Sequence, residues 1–239
     1  MDICYGNDLE YLSTKEAWIQ DELWANNMSE AYEAVKAGAT FIGFDLPIEA
    51  EEKAILSSIV IKGSEMNFDF DNIAFQKLLY SMGNDKNLAK DATNISEKIL
   101  TSFRYATNKS GNLNILSIVG EGNKFQNMGG DWHTDNANAY RAVMNLQGSG
   151  TIFCKLTSSA DERTNEINNF VQSVYKIPRL KGDYEPQELA QHYKLCSESK
   201  GHKIFQVPVL SGAFFKMDTA IHATPIMNIS ETRMHFSVT

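Results

Sequence analysis

Cysteine is scarce in this chain of 239 residues: only Cys4, Cys154 and Cys196 are present. The number is odd and the spacings match no zinc pattern, so neither a disulfide framework nor a cysteine-rich metal knot is expected. The three read as buried or incidental thiols in a reducing cytosol. No stretch approaches the ~18 consecutive apolar residues that a membrane helix needs. Residues 1–5 lack a basic region leading into an apolar run, so no signal peptide is expected and a cytoplasmic location is. Basic clusters are missing as well. Lys and Arg number 22 against 30 Asp and Glu, a net charge of −8, so no nucleic-acid partner is expected and polyanionic substrates are disfavoured. There is no internal repeat and no low-complexity tract. What is present is 43% hydrophobic residues, enough for one sizeable core or a core with a helical annex.

The first half reads as mainly helical. Ser13-Thr14-Lys15-Glu16 has capping-box spacing ahead of an apolar periodic run. A helical stretch from Ser29 to Ala37 stops at Gly38, a plausible residue just past a helix end. A β-rich segment at 39–44 is ended by Pro47. Three further helices are predicted over 48–60, 69–82 and 85–107, with Asp69 and Asp85 near two of the starts. Near residue 112 the pattern changes to alternation. Strands are predicted at 114–119, 140–146, 151–156, 204–209, 212–217 and 232–238. Between them, residues 158–203 form a polar insertion. A single domain is expected: a mainly helical part over 1–111, then a β-rich core over 112–239.

In an extended chain residues i and i+2 point to one side. In Gly130-Asp131-Trp132-His133-Thr134-Asp135-Asn136, His133 and Asp135 therefore present an imidazole and a carboxylate to one point. His222 offers a third ligand from a distant segment. Two histidines and one carboxylate on one face of a metal leave three positions open, which suits non-haem iron(II). Alone, a His-x-Asp pair is a common hydrogen-bonded loop feature, and a lone histidine before Pro225 is more often structural than ligating. On the last strand Arg233, His235 and Ser237 share one face.

The order of these pieces resembles the 2-oxoglutarate/Fe(II) oxygenases. That family carries a His-x-Asp, a Gly-rich turn with Thr and an aromatic, a distal His and then a basic residue. Here these are His133-Thr134-Asp135, then Gly148-Ser149-Gly150-Thr151-Ile152-Phe153, then Gly212-Ala213-Phe214-Phe215, then His222, and Arg233 eleven residues later. The closest flavour is that of small bacterial members, some of which act on free amino acids. The resemblance implies an α+β fold: a double-stranded β-helix, that is a cupin-like jelly roll, with the N-terminal helices packed outside. It implies Fe(II), 2-oxoglutarate and O2, with His133, Asp135 and His222 as the metal and catalytic residues. It gives Arg233 the far carboxylate of 2-oxoglutarate, with Thr151 and Ser237 as further contacts. Many members have Arg-x-Ser where this chain has Arg233-Met234-His235. Halogenating members lack the carboxylate ligand, so Asp135 implies hydroxylation.

Candidate substrate contacts are Glu121, Trp132, Asn136, Tyr140, Arg141 and His235. Of these, Trp132 and Tyr140 read first as packing residues, Asn136 as a loop cap and Glu121 as a solvated turn carboxylate. His192 and His202 read as surface residues of the insertion, which is either a lid or a dimer surface, so a homodimer is one expectation. The substrate is expected to be a small molecule, with no membrane partner. Two other readings stand beside this one: a cupin-like metal enzyme that does not use 2-oxoglutarate, and a non-catalytic jelly-roll binding module.

Overall fold

The computed structural model describes residues 12–63, 66–108, 114–120, 132–135, 137–156, 165, 203–223 and 232–239. Helix α1 (Lys15–Gln20) is capped by Thr14, whose side chain accepts from Ala17 N. The cap thus sits one residue later than the Ser13 spacing suggested. Helix α2 (Met28–Lys36) starts at Asn27, which accepts from Glu30 N, and Gly38 follows it with φ +117°. Helix α3 spans Ala50–Ser58. Helix α4 (Asn72–Ser81) is capped by Asp71, whereas Asp69 ends a strand. Helix α5 (Lys86–Thr107) runs for 22 residues from its cap Asp85 and ends at Asn108 in the left-handed region.

The strands form two antiparallel sheets. They are β1 (Phe41–Asp45), β2 (Met66–Asp69), β3 (Asn114–Val119), β4 (Tyr140–Gln147), β5 (Ile152–Lys155), β6 (Lys203–Gln206), β7 (Ser211–Lys216), β8 (His222–Ala223) and β9 (Arg233–Val238). The large sheet has six strands in the order β1-β7-β4-β9-β3-β2; the small one has three in the order β6-β5-β8. The N-terminal half therefore supplies both edges of the large sheet. Strand β2 was not anticipated. Four residues alternating Met66, Asn67, Phe68, Asp69 carry too little pattern to stand out, and pairing with β3 is what makes them a strand.

Strand alternation splits the large sheet into two faces. Ala142, Met144, Leu146, Phe214, Met234, Phe236 and Val238 join Val35, Ile99 and Phe103 of the helices in one buried core. Phe103 of α5 stacks on Phe214 of β7 at 5.7 Å. The opposite face looks toward the small sheet. There Phe41, Val143 and Phe215 meet Phe153, Phe205 and Trp18 in a second apolar cluster. The protein is thus a mixed helix and antiparallel-sheet fold, in which residues of α2 and α5 join one apolar cluster and Trp18 of α1 joins the other. Among the described residues no helix is long and apolar enough to cross a membrane. The expected insertion lies outside the described residues, apart from Lys203 at the start of β6 and the single residue 165.

Candidate metal centre

His133 and His222 are held together by the backbone. His133 N donates to His222 O at 3.0 Å, and His222 N donates to His133 O at 2.9 Å. This isolated antiparallel bridge brings residues 89 positions apart to one point and sets their rings 4.3 Å apart. The next step along the first segment is fixed in the same way, with Asp135 N donating to Met217 O at 2.8 Å. One ligand atom from each of His133, Asp135 and His222 lies within 4.8 Å of the others.

His222 is oriented as a ligand would be. Its Nδ1 lies 3.0 Å from Ala220 O, which leaves Nε2 to face Asp135 Oδ2 at 3.7 Å. A backbone partner on one ring nitrogen is the usual way a ligating histidine is held in one tautomer. The ring rests on Phe215 and Phe153, with centroids 4.9 and 6.0 Å away. Burial first, and then the charge of His133, push its pKa down to about 4, so it is neutral near pH 7. A neutral imidazole is the form that binds a metal. Two donors at ~2.1 Å from one ion can stand up to about 4.2 Å apart, so the 3.7 Å between Nε2 and Oδ2 is within reach of a shared ion.

Arg141, on β4, donates from Nη1 to Asp135 Oδ2 at 3.0 Å. It pairs in register with Phe215, the ring beneath His222, and so lies at the edge of the three-residue cluster. Its contact with the proposed ligand Asp135 was not foreseen, because it depends on β4 folding back over the 133–135 segment. Arg233 is only 4% exposed and donates from Nη2 to the hydroxyl of Thr151 at 3.2 Å. The turn before Thr151 makes this possible. Gly148 has φ +73°, and a Cβ there would fall 1.9 Å from Thr232 O, so the β4–β5 turn presses directly against the start of β9. Thr151 lies two residues before Phe153, which is paired with His222. Thr151 is therefore one strand repeat, roughly 6.6 Å along the chain, from the residue that pairs with His222.

The other sequence candidates are placed unequally. His235 and Ser237 share the inner face of β9 with Arg233, since Met234, Phe236 and Val238 all enter the helix-side core. Trp132 is fully buried, as a packing residue would be. Tyr140 does not join the site: it packs edge-on against Tyr32 of α2 at 5.9 Å, on the helix face. Its strand parity, shared with Ala142 and Met144, puts it there. Glu121 and Asn136 lie outside the described residues, as do Asp131, Asp161, Asp183, His192 and His202.

No protein-family model matches the chain, and no curated protein matches it in sequence. Solved structures do resemble it. One is the apo form of a Kdo hydroxylase described as a non-haem Fe(II) alphaketoglutarate-dependent dioxygenase. It is 12% identical, with a TM-score of 0.44 over 90% of this chain and 84% of that one. The same hydroxylase has also been solved with succinate and Fe(III). A second is a prolyl hydroxylase from Trichoplax adhaerens, in complex with a hypoxia-inducible-factor peptide (9% identity, TM-score 0.43, covering 88% and 87%). A third is an N-substituted L-amino acid dioxygenase from Burkholderia ambifaria (12% identity, TM-score 0.41, covering 87% and 85%).

Proposed function

We propose that the chain is a non-haem Fe(II)- and 2-oxoglutarate-dependent oxygenase. Its two facing sheets would be the family's double-stranded β-helix, within a single domain. It hydroxylates an unactivated C–H bond of a small polar molecule such as a free amino acid. The observation that supports this best is where Arg233 stands. Arg233 is buried and bonded to Thr151, which lies two residues before Phe153, the strand partner of His222 in the three-donor cluster.

In this reading His133, Asp135 and His222 hold the metal from one side, leaving the opposite side open. When bound, Fe(II) with 2-oxoglutarate supplies the oxidant: O2 gives one atom to succinate, with loss of CO2, and the other to the substrate. The chain's own part is positioning. Arg233, fixed by Thr151, meets the far carboxylate with a planar fork of donors. Arg141 holds one carboxylate oxygen of Asp135 and so limits its rotation. Phe215 and Phe153 keep water from the buried side of His222. Asp135 fills the third ligand position, which favours oxygenation over halogenation.

Anaerobic titration of the protein with Fe(II) and 2-oxoglutarate is expected to produce a weak visible charge-transfer band. Removing one partner of a buried charge pair costs about 3–5 kcal/mol, so Arg233→Ala is expected to weaken 2-oxoglutarate binding by roughly a hundredfold to several thousandfold. Arg233→Lys keeps the charge but loses the fork and is expected to fall between the two. Fe(II) binding survives both changes, since the three ligands are untouched. No band in the unmodified protein, or equal affinity in all three proteins, contradicts the proposal.

A further inference from the structure

Two arginines on the inner face of the large sheet stand at opposite ends of one strand. Arg141 is the second residue of β4 and lies opposite Phe215 of β7. Arg233 adjoins Met234, which lies opposite Gln147, the last residue of β4. Six positions of extended chain, roughly 20 Å, separate those two levels. Burial differs between them as well. Arg233 is 4% exposed, whereas 25% of the Arg141 side chain is open to solvent. Arg141 therefore serves a different place from Arg233, and a more open one.

That place borders the three metal-type donors. Nη1 of Arg141 donates to Asp135 Oδ2, the same oxygen that faces His222 Nε2 at 3.7 Å. Among the described residues Asp135 is the one ion-pair partner of Arg141. A guanidinium carries five N–H donors in a planar fork, so the bond to Asp135 leaves donors over for a ligand.

The charges of the proposed site, counted with its metal and cosubstrate, do not balance. His133 and His222 would hold a metal as neutral rings. The two positive charges of Fe(II) and the one of Arg233 are cancelled by Asp135 and the 2-oxoglutarate dianion. The charge of Arg141 is left over. A cation that the substrate covers loses water, and without a counter-charge that loss is not offset. We infer that Arg141 is a specificity-determining residue that receives a carboxylate of the substrate, so that the substrates are small carboxylic acids and not their neutral counterparts. The planar fork suits that group. The inference rests on the Fe(II)/2-oxoglutarate reading above and narrows its small polar molecule to one with a carboxylate. A role confined to holding Asp135 predicts something else: loss of Arg141 would weaken Fe(II) binding and would not distinguish an acid from its amide.

The test is anaerobic calorimetry on the protein loaded with Fe(II) and 2-oxoglutarate. The probes are free L-amino acids and their N-acetyl derivatives, each beside the matching carboxamide, which keeps the shape and loses the carboxylate charge. At least one acid is expected to bind, and its amide about ten- to a hundredfold more weakly. Arg141→Gln carries an amide donor for Asp135 but no charge, so the acid should fall to the level of its amide while the amide is unchanged. Arg141→Lys should lie between the two. An amide that binds as well as its acid overturns the inference. So does an equal loss of acid and amide in Arg141→Gln, or the absence of binding by every acid in the series. If Arg141→Gln does not take up Fe(II), Arg141→Lys decides: its affinity for the acid must drop and its affinity for the amide must not. Each of these failures leaves the cosubstrate assignment standing. Failure of the unmodified protein to bind Fe(II) and 2-oxoglutarate removes both readings.

Discussion

The two faces of the large sheet are made by the same strands and differ in what they bury. On the helix side Met144, Phe214, Met234 and Phe236 of β4, β7 and β9 are apolar and sealed, each no more than 1% exposed. On the inner side the alternate residues of β3, β4 and β9 include Ser117, Asn145, Arg233 and His235, beside Val143 of the second apolar cluster. Apolar burial contributes about 25 cal/mol per Å2, so the helix-side core, the larger of the two apolar clusters, supplies the greater part of the stability. Buried polar and charged groups carry a desolvation cost that only well-aimed partners offset, so the inner side spends some of it. A slip of one residue in register would exchange the two faces completely. At these positions the division between sealed apolar packing and the polar groups of the proposed site follows strand parity, not separate parts of the chain.

That division predicts that activity and stability can be broken independently. The largest expected effect is on activity. Asp135→Gly removes the one carboxylate of the proposed metal site and strands Arg141, its partner at 3.0 Å. Hydroxylation is expected to be abolished, while thermal unfolding moves by only a few degrees, because the residue belongs to neither apolar core. Product analysis by mass spectrometry in chloride buffer, beside a melting curve, measures both. A chlorinated main product from the unmodified protein would contradict the role given to Asp135. The mirror experiment is Phe214→Ala. Phe214 is 1% exposed and touches Tyr32, Phe44 and Phe103, so three elements lose a shared contact at once. A buried Phe→Ala change costs about 3–5 kcal/mol. Denaturant unfolding should show that loss, with Fe(II) affinity retained below the transition. Loss of metal binding in the folded variant would mean the faces are coupled after all.

The parity itself was legible in the sequence; its direction was not. Tyr140, Ala142, Met144 and Leu146 sort onto one face, and Arg233, His235 and Ser237 onto another, by alternation alone. Which face meets helices is a tertiary fact, and so Tyr140 stood among the candidate contacts until the sheet placed it against Tyr32. The cluster of His133, Asp135 and His222 was legible because residue type and order carry it. The backbone bridge that joins the two histidines was not, since β8 has only two residues and shows no period. Strand β2 was missed for the same reason of length. The polar row across the large sheet, formed by Asn67, Ser117, His235, Asn145 and Ser211, could not be read from sequence at all. Its members come from five strands, and only register sets them side by side.

The smallest expected effect tests whether the helix layer serves stability alone. Asp85 caps α5, and its Oδ1 accepts from Asn87 N at 2.8 Å and Leu88 N at 2.9 Å. Those amides have no partner within the helix, and an aspartate there also meets the positive end of the helix dipole. The residue touches nothing on the inner face; it acts only through the 22 residues of α5, which carry Ile95, Ile99 and Phe103 into the helix-side core. Asp85→Ala should therefore cost about 1 kcal/mol, within a range of roughly 0.5–2. For a protein of this size that is a fall in melting temperature of about 2–4 °C. Asp85→Asn keeps the acceptor oxygen and loses only the charge, so it should recover most of the difference. The Fe(II) and 2-oxoglutarate affinities of both variants should match those of the unmodified protein at 25 °C. A change of tenfold or more in either affinity would show that α5 sets the position of β7 or β9 with an accuracy the site depends on, and the separation of the two faces would then fail at its most distant point.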